Sequence, residues 1–155
     1  MPTEPMREDI QKLIQTQADY IASQQLPSGA IPWYRGGITD PWDHVECAIA
    51  LDLARRFDEA ASAYKWMREV QNPDGSWYFS YLHDKPHNRT KDTNFTTYIA
   101  TGVWSHYLAT RNLDFLRYMW RAVEKAIDFA LTFQQPGGEI YWELAKTTRS
   151  GQEQS

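Results

Sequence analysis

The sequence has little cysteine and no long apolar run, and both shortages exclude classes of protein. Cys47 is the single cysteine, so no disulfide can form within the 155-residue chain. A zinc site would need histidine or carboxylate ligands beside that one thiolate. No stretch of about 18 uncharged apolar residues is present to span a membrane, and no secretory signal opens the chain. We therefore expect a cytoplasmic protein without a membrane span.

Clustered positive charge is also missing. The net charge is −4 and no long basic run occurs, so the electrostatic footprint of a nucleic-acid-binding protein is absent. Hydrophobic residues make up 42% of the chain and aromatic residues 14%. This composition suits a globular domain with a real core, and it also suits pockets for apolar or ring-shaped ligands.

A pattern of glutamine, proline and glycine occurs three times. The three Gln-x-Pro-x-Gly strings are Gln25–Gly29, Gln71–Gly75 and Gln134–Gly138, and each is soon followed by a tryptophan, namely Trp33, Trp77 and Trp142. One such string indicates only a turn, but three indicate a repeated structural unit. We interpret the three tryptophans as packing one unit against the next.

Hydrophobic periodicity predicts an all-α protein with five helices, over 4–24, 41–55, 57–71, 93–110 and 113–134. Segments 41–55 and 93–110 are apolar nearly all round, as buried helices are, whereas the others have one polar face. We therefore expect these two segments to be inner helices, more buried than their outer partners.

Helical hairpins in this order predict part of an alpha/alpha toroid, a ring of inner helices surrounded by outer ones. About two and a half hairpins are present (outer, inner, outer, inner, outer), within a domain spanning 1–145. The polar segment 146–155 is expected to be a disordered tail. Since a closed ring needs about six hairpins, we expect self-association or a partner that completes the ring.

Acidic residues mark the starts of both inner helices. Asp40 is placed to cap the first helix ahead of Pro41, Asp43 follows in its first turn, and Asp92 caps the second. Because the inner helices start on one face of the ring, these carboxylates should converge at one mouth. Glu46, one turn further on, is expected to be a buried carboxylate with a functional role.

Other residues near the mouth are candidates for binding. Tyr34, Trp42, Phe95 and Tyr98 are the aromatic side chains that we assign to a pocket, together with Asp40. His44 is expected to be the hydrogen-bonded partner of a neighbouring acid.

The string Gln71-Asn-Pro-Asp-Gly-Ser-Trp77 resembles the repeat of squalene and terpene cyclases, and acidic inner-helix starts resemble those of protein prenyltransferases. This resemblance implies a toroid that binds an isoprenoid, with Asp43, Glu46 and Asp92 as catalytic acids and Mg²⁺ where a diphosphate is bound. The Asp-x-Asp-Asp and Asp-x-Cys motifs of those enzymes are not present. An isoprenoid-binding, prenyltransferase-like protein is the main functional prediction.

A second resemblance supports an alternative prediction. Gly102-Val-Trp-Ser-His-Tyr-Leu108 and Gly138-Glu-Ile-Tyr-Trp-Glu143 are similar to segments of six-hairpin glycosidases. This implies a carbohydrate-active toroid in which Glu143 or Glu46 is the general acid. A non-catalytic helical scaffold, in which the acids are only helix caps, is the third possibility.

Overall fold

The structure, a computed structural model, describes residues 4–144, the last two of them by backbone alone. The helices are α1 (Glu4–Gln24), α2 (Pro41–Leu53), α3 (Phe57–Val70), α4 (Thr93–Thr97), α5 (Ile99–Thr110) and α6 (Leu113–Leu131). Short antiparallel strand pairs are formed by β1 (Ser80–Leu82) with β2 (Lys85–Asn88), and by β3 (Lys91–Asp92) with β4 (Glu143–Leu144). The predicted tail over 146–155 lies outside the described residues.

All five predicted helices are present, and each begins at the predicted residue. The segment 93–110 is divided into α4 and α5 at Tyr98, which keeps helical backbone angles, so the two pieces continue one another. α2 ends at Leu53 instead of residue 55, because Arg55 adopts a left-handed backbone with φ 64°. The all-α prediction is confirmed.

The packing follows the predicted alternation of inner and outer helices. α2 packs against α1, α3 and α5, and α5 packs in turn against α3 and α6. The crossing of α2, α3 and α5 is close at Gly102, where a Cβ atom would overlap the side chains of Val45 and Tyr64. A larger residue there would therefore separate the inner helices. The described residues form an arc of an alpha/alpha toroid.

The expected difference in burial is confirmed for whole helices, since α2 and the α4–α5 pair each expose a smaller share of their residues than α1, α3 or α6. It does not hold for every apolar side chain. α3 and α6 bury whole faces, including Tyr64, Trp66 and Met119, whereas the inner helix α5 exposes Trp104 and Leu108. The reason is geometric, since an arc leaves its concave side open and inward-pointing apolar residues have no opposite wall. No helix within residues 4–144 combines the length and hydropathy that a membrane span requires.

A buried polar cluster ties three helices together. Asp52 of α2 lies 2.7 Å from His106 Nδ1 of α5 and accepts a hydrogen bond of 3.3 Å from the Tyr64 hydroxyl of α3. Asp52, the polar exception on a mostly apolar helix, is thus paired, which offsets the cost of burying its carboxyl group.

The repeated turns dock outer helices onto one another. The Gln25 side-chain amide donates to the carbonyls of Gly29 at 3.0 Å and Glu59 at 2.9 Å. Gln71 repeats this arrangement with Gly75 at 2.9 Å and Ala122 at 2.8 Å. Each glutamine therefore closes its own turn and fastens it to the next outer helix. The repeat has a structural function that is independent of any reaction.

Candidate functional site

The site begins with the first turn of α2. Asp40 is buried, and one carboxylate oxygen accepts a 2.9 Å hydrogen bond from the Asp43 amide, which makes Asp40 the N-cap. Its other oxygen accepts a hydrogen bond from the Trp33 indole N–H. Asp40 therefore holds the helix start and the indole ring of Trp33 in one fixed arrangement.

Asp43 lies beside Asp40 and is open to solvent. Partial burial raises the pKa of the Asp43 carboxyl, and the neighbouring Asp40 carboxylate raises it further by repulsion and by a side-chain hydrogen bond. A carboxyl group with a raised pKa can carry a proton at a pH where ordinary aspartates are ionised. Asp43 is thus suited to giving and taking a proton.

Two cavities meet at Asp43 and Trp33. One, of about 280 Å³, lies between α1 and α2. The other, of about 290 Å³, lies at the start of α2 and α4. The first is lined by Tyr20, Ile21, Gln24, Ile31, Pro32, Trp33, Asp43, Glu46 and Cys47, and the second by Trp33, Asp40, Trp42, Asp43, Phe79 and Phe95. The Asp43 carboxyl is therefore accessible from both.

Aromatic rings form the wall of the second cavity. Trp42 stacks on Tyr98 with ring centroids 4.2 Å apart and planes 3° from parallel, and Phe79 stacks on Phe95 at 4.8 Å. Trp42 and Phe95 also touch, at 6.0 Å. Three of the four predicted pocket aromatics, Trp42, Phe95 and Tyr98, are thus brought together. Tyr34 lines neither cavity and is exposed.

The prediction that Glu46 is buried is wrong. Its side chain is exposed on the open side of α2, lines the first cavity, and accepts a hydrogen bond from the Tyr98 hydroxyl. The sequence pattern placed Glu46 in an apolar helix, but this side of the helix faces the open concave side of the arc. Exposure makes the carboxylate available to a ligand without the cost of burial.

Asp92 is the buried N-cap of α4, and it accepts a 2.9 Å hydrogen bond from the Phe95 amide. Burial raises the pKa of its carboxyl group. α4 starts next to α2, since Phe95 touches Trp42, so both inner-helix starts lie on one face as expected. Asp92 lines neither of the two cavities, however, and its carboxyl group is engaged as a cap.

The backbone of Glu143 pairs with Asp92 in the β3–β4 pair. This brings the chain after the third turn to the start of α4, near the mouth. The Glu143 side chain lies outside the described part of the structure, and its predicted role as general acid stays a prediction.

His44 and Cys47 can be assigned structural positions. His44 Nδ1 accepts a hydrogen bond from the Ile31 amide at 3.1 Å, and Nε2 lies 3.0 Å from the Ala63 carbonyl. The imidazole thus connects the loop between α1 and α2 to α3. Its partners are backbone groups and not an acid, and burial lowers the pKa of His44 to about 4. Burial and nearby carboxylates raise the pKa of Cys47 to about 11, which keeps it a thiol.

Sequence reasoning missed the position of Trp33. It was predicted to pack one hairpin on the next, as the buried Trp77 does by donating to the Met67 carbonyl at 2.7 Å. Trp33 instead is 53% exposed and lines both cavities. Trp33 lies four residues after the turn glycine Gly29, whereas Trp77 lies two residues after Gly75. This longer spacing could have shown that the two tryptophans differ. Among the side chains of residues 4–142, no three His, Cys, Asp or Glu groups lie closely enough together to hold a metal.

The proteins that are similar to the chain in sequence have the names of glycoside-cleaving enzymes. No protein-family model matches the chain. It is 50% identical over 125 residues to an MMP endo-(1,4)-3-O-methyl-alpha-D-mannosidase of Mycolicibacterium hassiacum, covering 81% of the chain and 35% of that enzyme. It is 30% identical over 83 residues to an uncharacterised glycosyl hydrolase of Methanocaldococcus jannaschii, covering 53% and 14%. The chain thus spans about a third or less of the relatives it matches.

Solved structures with the same fold also come from sugar-active proteins. Cellobiose 2-epimerase of Bacillus thermoamylovorans superposes with a TM-score of 0.68 at 18% identity, covering 95% of the chain and 42% of the epimerase. A sugar epimerase from a ruminal bacterium gives 0.66 at 14%, covering 97% and 43%. Endoglucanase Cel10 of Klebsiella pneumoniae gives 0.61 at 13%, covering 77% and 39%. At these identities the likeness shows the fold alone.

These comparisons contradict the main functional prediction, an isoprenoid-binding, prenyltransferase-like protein. The prediction was based on the Gln-x-Pro-x-Gly repeat, which the structure explains as a helix-docking turn of the toroid. A turn that holds the ring together is compatible with any chemistry at its mouth. The chain has the fold of a partial alpha/alpha toroid, and the proteins it resembles act on carbohydrates.

Proposed function

We propose that this chain is the part of a carbohydrate-active toroid that carries a proton-transferring carboxyl group, Asp43, at a sugar-binding mouth. The observation that carries the proposal is that Asp43, with its raised pKa, lies where two cavities meet. A glycosidase needs an acid at such a point, because the bond to be cleaved joins two sugars held on either side.

The aromatic wall supports a sugar ligand. Trp42 and Phe95 present flat apolar surfaces to the second cavity, and Trp33 separates it from the first. Sugar rings have apolar C–H faces that pack on such surfaces, while carboxylates bind their hydroxyls. The relative's name specifies a 3-O-methylated mannose, and a methyl ether would add apolar area that suits this wall.

The proposed reaction is hydrolysis of an α-(1,4)-linked mannoside. The protonated Asp43 carboxyl donates its proton to the glycosidic oxygen as the bond to the anomeric carbon breaks. Water supplies the hydroxyl group of the new anomeric end and its remaining proton goes to a carboxylate. Glu46 is the proposed carboxylate within the described residues, since it lines the first cavity together with Asp43.

In this proposal the toroid domain spans residues 1–145, and the catalytic set includes groups beyond the residues that the structure describes. Glu143 remains a candidate for that set, because its backbone lies beside β3 at the mouth. Asp92 is assigned to capping α4, and Tyr34 is not assigned to the pocket.

The test is a panel of ligands. The purified protein is incubated with α-(1,4)-linked 3-O-methyl-mannose oligosaccharides, the unmethylated oligosaccharides, cello-oligosaccharides and an isoprenoid diphosphate with Mg²⁺. Thermal stabilisation and new reducing ends are measured for each. We expect stabilisation by the methylated mannosides and release of shorter mannosides. No response to any sugar would contradict the proposal and favour a scaffold.

A further inference from the structure

A further cavity lies between two outer helices of the arc. Its volume is about 320 Å³, and its walls are α3, α6 and the second turn, Gln71–Gly75. The lining residues are Arg68, Gln71, Asn72, Pro73, Arg121, Ala122 and Lys125. None of them lines the two cavities that meet at Asp43. Because the turn docks on α6 within the chain, this cavity belongs to a closed contact and not to an open edge of the arc.

The charged side chains that line this cavity all carry positive charge. They are Arg68 from α3, and Arg121 and Lys125 from α6. The acids next to them in the sequence, Glu69 and Glu124, do not line the cavity. None of the ion pairs between described side chains includes one of the three cations. Like charges around one cavity repel each other, and a bound anion would relieve this repulsion.

The first turn shows that docking does not require these cations. In each of the first two turns the glutamine donates to a carbonyl of the next outer helix, that of Glu59 or that of Ala122. At the positions equivalent to the three cations, counted from these contacts, the first turn has Ala22, Asp58 and Ser62. An architecture with no cation at these positions therefore docks equally well. The positive charge at the second turn has another explanation.

The three cations are placed to hold one anion from two sides. The Arg68 guanidinium lies over the Tyr118 ring, 3.8 Å from its centroid, which holds the group in place on the α3 side. Arg121 and Lys125 are one helical turn apart on α6 and reach the cavity from the other side. A guanidinium can donate to two oxygens of a phosphate at once, and an ammonium adds a point charge. This combination suits a tetrahedral oxyanion with two negative charges.

We propose that this cavity binds a dianionic oxyanion, either free phosphate or the phosphate group of a small phosphorylated molecule. The anion connects α3 to α6 beside the second turn, and it lies apart from the proposed catalytic carboxyl groups. A volume of about 320 Å³ is at the lower end of ordinary small-molecule pockets, about 300–1,000 Å³, which fits a ligand of this size. The site does not depend on the proposed hydrolysis.

The test is titration calorimetry of the purified protein with inorganic phosphate, at a pH where phosphate is a dianion. Ionic strength is held constant, because salt screens the charges of an exposed site. We expect saturable binding of one ion per chain and a higher melting temperature. Arg121→Gln should raise the dissociation constant about tenfold or more, the value of one hydrogen bond to a charged group.

The chain offers a matched control on the same helix. Arg117 lies one turn before Arg121, is exposed, pairs with Asp114 at 3.2 Å and does not line the cavity. Arg117→Gln removes the same charge from the chain and should leave phosphate binding unchanged. Lys125→Gln is a second variant inside the cavity and should also weaken binding. Circular dichroism checks that each variant folds.

Glucose 6-phosphate and glucose distinguish the two sources of the anion. Tighter binding of glucose 6-phosphate than of inorganic phosphate would identify a phosphorylated molecule as the ligand, and equal binding would identify the free anion. Glucose itself should not bind at this cavity. The proposal would be overturned by a lack of saturable phosphate binding at constant ionic strength, by binding that both Arg121→Gln and Lys125→Gln leave unchanged, or by equal weakening in Arg117→Gln.

Discussion

The two inner-helix starts are built alike but present different side chains. Asp40 and Asp92 each accept a 2.9 Å hydrogen bond from the amide three residues later, Asp43 and Phe95 respectively. At that third position the first start has a carboxyl group and the second an aromatic ring. The cap is therefore common structure, and the residue that follows it decides what each start contributes to the mouth.

The difference continues one turn further. Glu46 and Tyr98 occupy the sixth position after each cap, and the Tyr98 hydroxyl donates a hydrogen bond to Glu46. Trp42, from the first start, stacks on Tyr98 of the second. The first start thus supplies acids and the second start supplies the aromatic surface that positions them. Four predictions test this division.

The largest effect is expected at Asp43. Asp43→Asn removes the proposed proton donor, and hydrolysis should fall by about 10²- to 10⁴-fold, the usual contribution of a general acid. Asp92→Asn is the matched control, because asparagine caps a helix as well as aspartate does. It should keep activity within a few-fold. Equal losses in both variants, measured as rates of reducing-end release, would show that the two starts are not divided in function.

Loss of either cap should lower the unfolding free energy by a similar amount. Asp40→Ala and Asp92→Ala each leave the first helical amides without a side-chain acceptor, which costs about 0.5–2 kcal/mol of unfolding free energy. Urea denaturation of both variants measures this cost. A large loss at one position and none at the other would mean that only one of the two residues is a true cap.

Features with a local sequence signal were predicted correctly, whereas features that depend on the whole arc were not. Helix starts were predictable, because Asp40-Pro41 carries its own signals of capping and fixed φ. The exposure of Glu46 was not, because it depends on the concave side of the arc being open, which no local pattern records. The isoprenoid prediction failed since the Gln71 turn belongs to the architecture of the ring and not to its chemistry.

A smaller effect is expected at the contact between the two starts. Tyr98→Phe keeps the ring that stacks on Trp42 and removes the hydrogen bond to Glu46. Hydrolysis should fall about two- to tenfold, the value of one hydrogen bond, with unfolding free energy nearly unchanged. Tyr118→Phe, on the outer helix α6 and in neither cavity, is the control, because its hydroxyl has no hydrogen-bond partner among the described residues. A loss of stability as large as the loss of rate would make Tyr98 a packing residue.

The smallest expected change is a shift in the pH profile of hydrolysis. It tests the effect of the Asp40 charge on Asp43, apart from the role of Asp40 as a helix cap. Burial and then the Asp40 carboxylate raise the pKa of Asp43, and the acid is active when protonated. Activity should therefore fall as pH rises through this raised pKa. Asp40→Asn removes the negative charge but keeps a capping oxygen, so the falling limb should move to lower pH.

Burial and the nearby Glu46 carboxylate still raise the pKa of Asp43 in this variant, so the limb should move only part of the way towards that of an ordinary aspartate. The pH dependence of kcat/KM measures the shift, and Asp92→Asn, whose charge does not act on Asp43, should leave the limb in place. The Trp33 indole also loses its acceptor in Asp40→Asn, so melting is compared in parallel. A limb that does not move in a folded Asp40→Asn protein would mean that Asp43 is not the group that titrates, and the proton donor would then lie elsewhere at the mouth.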